Sequence, residues 1–132
     1  MSTLKVGTIQ DTDGVNPSTA EQISKGRAKA WINFDGRFSD GIRDDFNLSS
    51  FTELPTEGRY TVTFTTPMAN TNYCVVSSGH LSRNDSDAGV AGNAREMGAY
   101  ILTTTNFKLV VTYNGSTLQD AANIFCAVFG GN

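Results

Sequence analysis

The chain has 132 residues, of which 39% are hydrophobic, and a formal net charge of −3 at pH 7. This length suits one domain, and the Lys and Arg residues are scattered instead of forming the basic patch that nucleic-acid binding needs. No apolar run approaches the ~20 residues that span a bilayer. We therefore expect neither a nucleic-acid partner nor membrane insertion. The modest hydrophobic fraction fits either a polar β protein or a core that further copies of the chain complete.

Residues 1–27 predict a short extended and helical segment ahead of the main domain. Ser18 and Glu21 have the spacing of a capping box, and Gly26 can end the helix that follows. A helix this short must pack on something to be stable, but the segment has too few large apolar side chains for a core of its own. We expect it to attach or trimerise the protein, through the apolar residues Leu4, Val6, Ile9 and Ile23.

From residue 28 onward the apolar side chains recur with a period of two, which predicts β-strands. Tyr60, Val62 and Phe64 alternate with threonines and should face the core together, whereas Trp31 should point away from it. Residues 28–132 are therefore expected to form an all-β head domain, an antiparallel β-sandwich or barrel-like fold. The predicted strands cover residues 28–34, 42–48, 51–54, 59–65, 73–78, 99–104, 107–113 and 123–129.

The segment from residue 80 to residue 98 fits none of these strands. It is rich in Ser, Asn, Asp, Gly and Ala, and connections of this length without internal structure tend to be functional or disordered. Loops held on a rigid sheet are frequent recognition sites, so the segment is either a receptor-binding loop or a flexible surface loop. The polar residues expected to contact a receptor are His80, Arg83, Asp85, Asp87 and Arg95.

The sequence predicts no catalytic residues, no metal site and no cofactor. The only histidine, His80, is too little for a catalytic triad or a zinc cluster. The adjacent Asp pairs lie in turns or on opposite faces of a strand, which is not the arrangement of two carboxylates across a cleft. We therefore expect a binding or structural protein and no enzyme. Cys74 and Cys126 lie in apolar stretches and are expected to be buried free thiols, unless neighbouring strands bring them together in a disulfide.

Several stretches resemble small tail-fibre proteins of bacteriophages, especially phages of cyanobacteria and marine bacteria. The most specific is KAWINF at residues 29–34 followed by Asp35-Gly36, within the longer block ISKGRAKAWINFDG at residues 23–36. The resemblance covers most of the chain except roughly residues 80–98. Its other parts are residues 3–10, 42–52, 58–65, 67–73 and 123–130.

The resemblance implies a component of the virion tail that assembles as a threefold fibre with its distal domain facing the host. Its partners would be two further copies of the chain, other tail or baseplate proteins, and a glycan or other envelope component on the host surface. The N-terminus lacks the features of a secretory signal, so we expect synthesis in the host cytoplasm. Two alternatives remain. One is a purely structural baseplate or capsid decoration, and the other is a glycan-degrading tailspike, for which the chain is short and lacks a carboxylate cleft.

Overall fold

A computed structural model of the protein describes residues 5–10, 12–15, 17–81, 94–100, 102–113 and 115–131. Most of these residues lie in β-strands, and a single short helix precedes the main sheet. The elements in chain order are β1 (Thr8–Ile9), β2 (Ser18–Thr19), α1 (Ala20–Gly26), β3 (Ala30–Phe34), β4 (Ile42–Phe46), β5 (Leu48–Glu53), β6 (Arg59–Phe64), β7 (Tyr73–His80), β8 (Ala94–Tyr100), β9 (Asn106–Tyr113), β10 (Thr117–Leu118) and β11 (Asn123–Gly130).

The main sheet is antiparallel and curls into a nearly closed barrel. Its strands are ordered β4-β3-β11-β7-β8-β9-β6-β5, and β10 pairs with β9 outside this path. The two strands at the ends of the order, β4 and β5, follow each other in the chain with only Asn47 between them. The predicted all-β class, with an antiparallel sandwich or barrel-like architecture, is confirmed.

The core lies inside the barrel and consists of alternate residues from each long strand. Tyr60, Val62 and Phe64 are all buried, as their alternation with threonines predicts. The ring of Phe34 on β3 packs against the rings of Phe51 and Tyr60, with centroid distances of 4.6 and 5.3 Å. Aromatic pairs at such distances add to the burial energy, so this cluster joins strands near the two ends of the sheet order, where the barrel closes.

One strand of the sequence prediction is divided in the structure. Residues 42–48 were expected to form one strand, but β4 ends at Phe46 and β5 begins at Leu48. Asn47 between them has a φ of 57°, the left-handed conformation that asparagine tolerates better than most residues. Its side-chain Oδ1 accepts a hydrogen bond from the Thr66 backbone N–H at 2.7 Å, and its Nδ2 donates to the Lys29 carbonyl oxygen at 3.1 Å. These contacts are distant in sequence, so local periodicity could not reveal the corner.

The described part of residues 5–27, here called the arm, lies outside the barrel. β1 and β2 pair only with each other, and α1 buries none of its residues. The capping box of α1 is present one residue later than predicted: Thr19 is the N-cap, and Gln22 is its partner. The shift has a simple cause: Thr19 pairs with Thr8 in the small sheet and is extended, so it cannot be the first helical residue that an N-cap at Ser18 would require.

The arm joins the barrel at one end, and the chain between β7 and β8 leaves from the opposite end. In the β7–β11 pair, Tyr73 lies opposite Gly130 at the first end, and His80 lies opposite Asn123 at the second. Lys25 of α1 lines a surface depression with Tyr73 and Gly130, which places the arm at the first end. β8 begins at Ala94, opposite His80. Eight strand residues separate the two ends by roughly 25 Å.

Candidate functional site

The structure corrects the extent of the predicted receptor-binding segment. Residues 94–98 belong to strand β8, so the connection between β7 and β8 is shorter than the expected 80–98 loop. The predicted strand at residues 99–104 overlaps only the end of β8, which spans Ala94–Tyr100. Its first part was not predicted because it lacks a row of large apolar residues; only Met97 and Ala99 of β8 pack against the core. His80 is half-buried at the end of β7. The other predicted contacts before β8, namely Arg83, Asp85 and Asp87, lie outside the described residues.

The side chain of Arg95 is not exposed for contact with a receptor. Its relative exposure is 7%, and its NH2 group donates a hydrogen bond to Gln119 Oε1 at 2.9 Å. Its guanidinium also stacks 5.1 Å from the centroid of the Tyr113 ring, a distance at which cation–π attraction operates. The prediction that Arg95 projects from a loop is therefore wrong. Its partners lie near residue 115, and no local pattern around residue 95 indicates them.

A buried carboxylate at the end of β3 was missed by the sequence analysis. Asp35 is 6% exposed and accepts hydrogen bonds from Arg37 Nε and NH2, both at 2.9 Å. Arg43 NH2 adds a third bond at 3.1 Å and also donates to the Ala122 carbonyl oxygen. The hydrogen bonds from Arg37, with the charge of Arg43 in addition, hold the pKa of Asp35 below its usual value. The cluster connects β3, β4 and the start of β11, and both carboxylate oxygens of Asp35 accept hydrogen bonds within it.

A second polar cluster lies at the same end of the barrel, around Tyr60. The Tyr60 hydroxyl donates a hydrogen bond to Asp120 Oδ1, which also accepts from the Gly58 backbone N–H at 2.8 Å. Burial, and then the bond to Asp120, raise the pKa of Tyr60, so its hydroxyl stays protonated. Burial and the nearby Asp120 also raise the pKa of Glu53. Across the described ranges no group of three or more His, Cys, Asp or Glu side chains could hold a metal ion.

Three of the four predicted trimerisation residues lie together on the arm. Val6, Ile9 and Ile23 are all exposed, and they line one shallow apolar depression with Ala20. Leu4 lies outside the described residues. The arm thus presents apolar side chains that the single chain does not cover, which is the condition under which they could contact another copy.

The outer surface of β3, β11 and β7 carries an unexpected apolar patch, here called the apolar face. Trp31, Ala127 and Val76 lie side by side in one row across these strands, and Val76 is 60% exposed. Phe125, which is 44% exposed, lies in the next row. The apolar face comprises Trp31, Asn33, Val76, Ser78, Phe125 and Ala127.

The cysteines lie on neighbouring strands but on opposite surfaces of the barrel. Cys126 on β11 faces the core, and Cys74 on β7 is exposed, so both are free thiols. The expectation of free thiols is confirmed, whereas the expectation that both are buried is wrong for Cys74. Burial raises the pKa of Cys126 to about 12, which makes its thiol unreactive in the folded chain.

Comparisons with family models, with curated proteins and with solved structures found no significant match to this chain. Within the parts of the chain that the structure describes, no helix is long and apolar enough to cross a membrane. The case for a function therefore rests on the residues and their arrangement.

Proposed function

We propose that the chain is a subunit of a homotrimeric bacteriophage tail fibre that adheres to the surface of the host cell. The resemblance of residues 23–36 to tail-fibre proteins suggested this class. The arm would attach the fibre to the tail or baseplate and help to trimerise it, and the β head would carry the contact with a glycan or another envelope component of the host.

The polarity of the barrel is the observation that supports this proposal best. The arm joins the barrel near Tyr73 and Gly130, whereas the chain between His80 and Ala94 leaves from the other end. A fibre needs this separation, because one end must hold the virion while the other reaches the host. A decoration protein that lies flat on a particle has no comparable need for opposite ends.

The mechanism would be multivalent adhesion. Three heads on one fibre, and several fibres on one virion, convert weak individual contacts into strong attachment without new contacts. Within each head, Arg83, Asp85 and Asp87 offer charged groups for hydrogen bonds to a polar receptor, with His80 at the base of the connection. Arg95 takes no part in this contact, since its side chain is buried.

The test is adsorption by virions that carry the triple substitution Arg83→Ala, Asp85→Ala and Asp87→Ala. We expect intact particles whose adsorption to host cells falls by an order of magnitude or more, because each of the three heads of a fibre loses three charged groups at once. The control is Lys108→Ala, which removes a charge from a strand on another side of the barrel. Unchanged adsorption by the triple variant would favour a purely structural virion component. Release of sugars from host envelope glycans by the purified protein would favour a tailspike enzyme.

A further inference from the structure

The apolar face differs from an ordinary solvated sheet surface in its complete lack of strong charges. Among the described residues of β3, β11 and β7, no outward side chain belongs to Lys, Arg, Asp or Glu. The register places Phe46 of β4 beside Trp31, so one apolar row crosses four strands. Charges begin at the border, with Lys29 just before β3, Lys25 on α1 and Asp44 on β4. Arg43 of β4 also reaches the border and donates a hydrogen bond to Asn33 Oδ1 at 3.1 Å. Apolar centres with polar rims are typical of protein interfaces.

We infer that the apolar face is the surface through which copies of this chain meet, with three faces turned toward a common axis. The inference rests on the homotrimer of the proposed function and specifies where its subunits touch. Each copy carries a net charge of −3. Contact through a surface without charged side chains adds no close pair of like charges to the long-range repulsion between copies, which salt screens.

The geometry of the strands agrees with an axis that runs along them. β3, β11 and β7 extend from the arm to the opposite end of the barrel. Copies related by threefold rotation about an axis parallel to these strands place all three arms at one end and all three β7–β8 connections at the other. A twofold axis perpendicular to the strands would point the arms in opposite directions, which does not suit a fibre.

The arm continues the same surface. Lys25 of α1 lines a depression together with Cys74 and Phe129, and these two residues form the row of the sheet next to Ala127 and Val76. Helix α1 therefore lies at the end of the face. A strongly polar receptor is a poorer occupant, since Asn33, Ser78 and the indole N–H of Trp31 are the hydrogen-bonding groups among the side chains of the face.

The experiment measures mass by analytical ultracentrifugation at micromolar concentration for full-length wild-type protein, Val76→Glu and Thr52→Glu. The two variants add the same charge to exposed strand positions, one within the face and one on β5. We expect 42.6 kDa (3 × 14.2 kDa) for wild type and Thr52→Glu, and 14.2 kDa for a folded Val76→Glu. A trimeric Val76→Glu would overturn the inference.

A second measurement uses the wild-type chain, so its result does not depend on whether the variant folds. Trp31 is the only tryptophan and lies in the face, so its emission should shift to longer wavelength when dilution dissociates the trimer. Emission that stays constant through dissociation would place the contact elsewhere and refute the inference. A monomeric wild type would refute both the face and the homotrimer.

Binding to host cells separates the inference from the proposed function. If wild type is a trimer that needs Val76 but does not bind host cells, the proposed adhesion is wrong while the inferred subunit contact is supported. If Val76→Glu remains a trimer and loses binding to cells, the face is a receptor site and the inference is wrong.

Discussion

The outer surfaces of β6 and β9 differ sharply from the apolar face, although both regions bury similar side chains inside the barrel. On β6, Thr61 lies between Thr52 of β5 and Lys108 of β9, so its row is polar throughout. The corresponding row of the apolar face contains Trp31 and Val76. Folding requires only that the inner residues be apolar, and the threonine-rich surface meets that requirement while staying soluble. The exposed apolar side chains of the apolar face are therefore not explained by folding. A contact with another surface is the simplest physical reason for them.

The largest expected effect separates the inner from the outer positions of β6. Phe64 is buried against Tyr73 and Phe107, with ring centroids 5.7 and 5.8 Å away. Phe64→Ala should lower the free energy of unfolding by roughly 3–5 kcal/mol, because it removes contacts and leaves a cavity. Thr63→Ala should cost less than ~1 kcal/mol. Urea unfolding at one fixed protein concentration measures both, and equal losses would show that the outer threonines are buried as well.

The next effect concerns Asn47, which connects the edge beside the apolar face to the threonine-rich side. Asn47→Ala loses side-chain hydrogen bonds worth about 1 kcal/mol each and strains the left-handed backbone by roughly 1–2 kcal/mol. Asn47→Gly loses only the hydrogen bonds, since glycine adopts this conformation readily. We therefore expect the Ala variant to unfold at a lower urea concentration than the Gly variant. Equal midpoints would mean that backbone strain contributes nothing at this corner.

A smaller effect is the acid sensitivity that Asp35 gives to the end of β3. Its pKa is lower in the folded chain than in the unfolded one, so its stabilisation is complete above the ordinary aspartate value of about 3.9 and disappears as the pH falls through the folded pKa. Asp35→Asn should lower the stability at pH 7 by roughly 1–3 kcal/mol, because two arginines lose a charged acceptor. The difference from wild type should shrink below about pH 4. Asp44→Asn, an exposed position on β4, is the control, and a gap that persists unchanged at low pH would contradict this account.

The smallest effect on stability is expected at the exposed cysteine. Cys74→Ser should change the free energy of unfolding by less than ~0.5 kcal/mol. In dilute native protein a thiol reagent should modify Cys74 alone, because burial keeps Cys126 protonated. Since Cys74 lies beside the apolar face, its labelling should slow as the protein concentration rises into the range in which the proposed trimer forms. Rapid labelling of both thiols in folded protein would show that the barrel opens at β11.

The strands with strict alternation could be predicted from the sequence, and the inner face of β6 is the clearest case. Such strands are half-buried, so the period of their apolar side chains directly reflects the core. Strand β8 could not be predicted in the same way, since Glu96 and Gly98 give it no apolar period and its pairing with β9 is a tertiary contact. The corner at Asn47 was missed for a similar reason: its hydrogen-bond partners are 18 and 19 residues away.

The candidate site was less predictable than the fold. Charge and loop composition suggested Arg95 as a contact, but burial against Gln119 and Tyr113 depends on strand neighbours that composition does not specify. The apolar face was missed because Trp31 and Phe125 were assigned individually to their strands. Only the register of β3 and β11 brings these residues close together.

The opposite placement of the arm and the β7–β8 connection also determines how the head would respond to mechanical force. A pull between the two ends acts along β3, β11 and β7, whose backbone hydrogen bonds lie across the direction of the strands. Those bonds are then sheared together instead of being opened one after another. In the proposed fibre, a virion that is moved by flow while the fibre holds a cell would therefore strain the sheet in the direction in which it resists best.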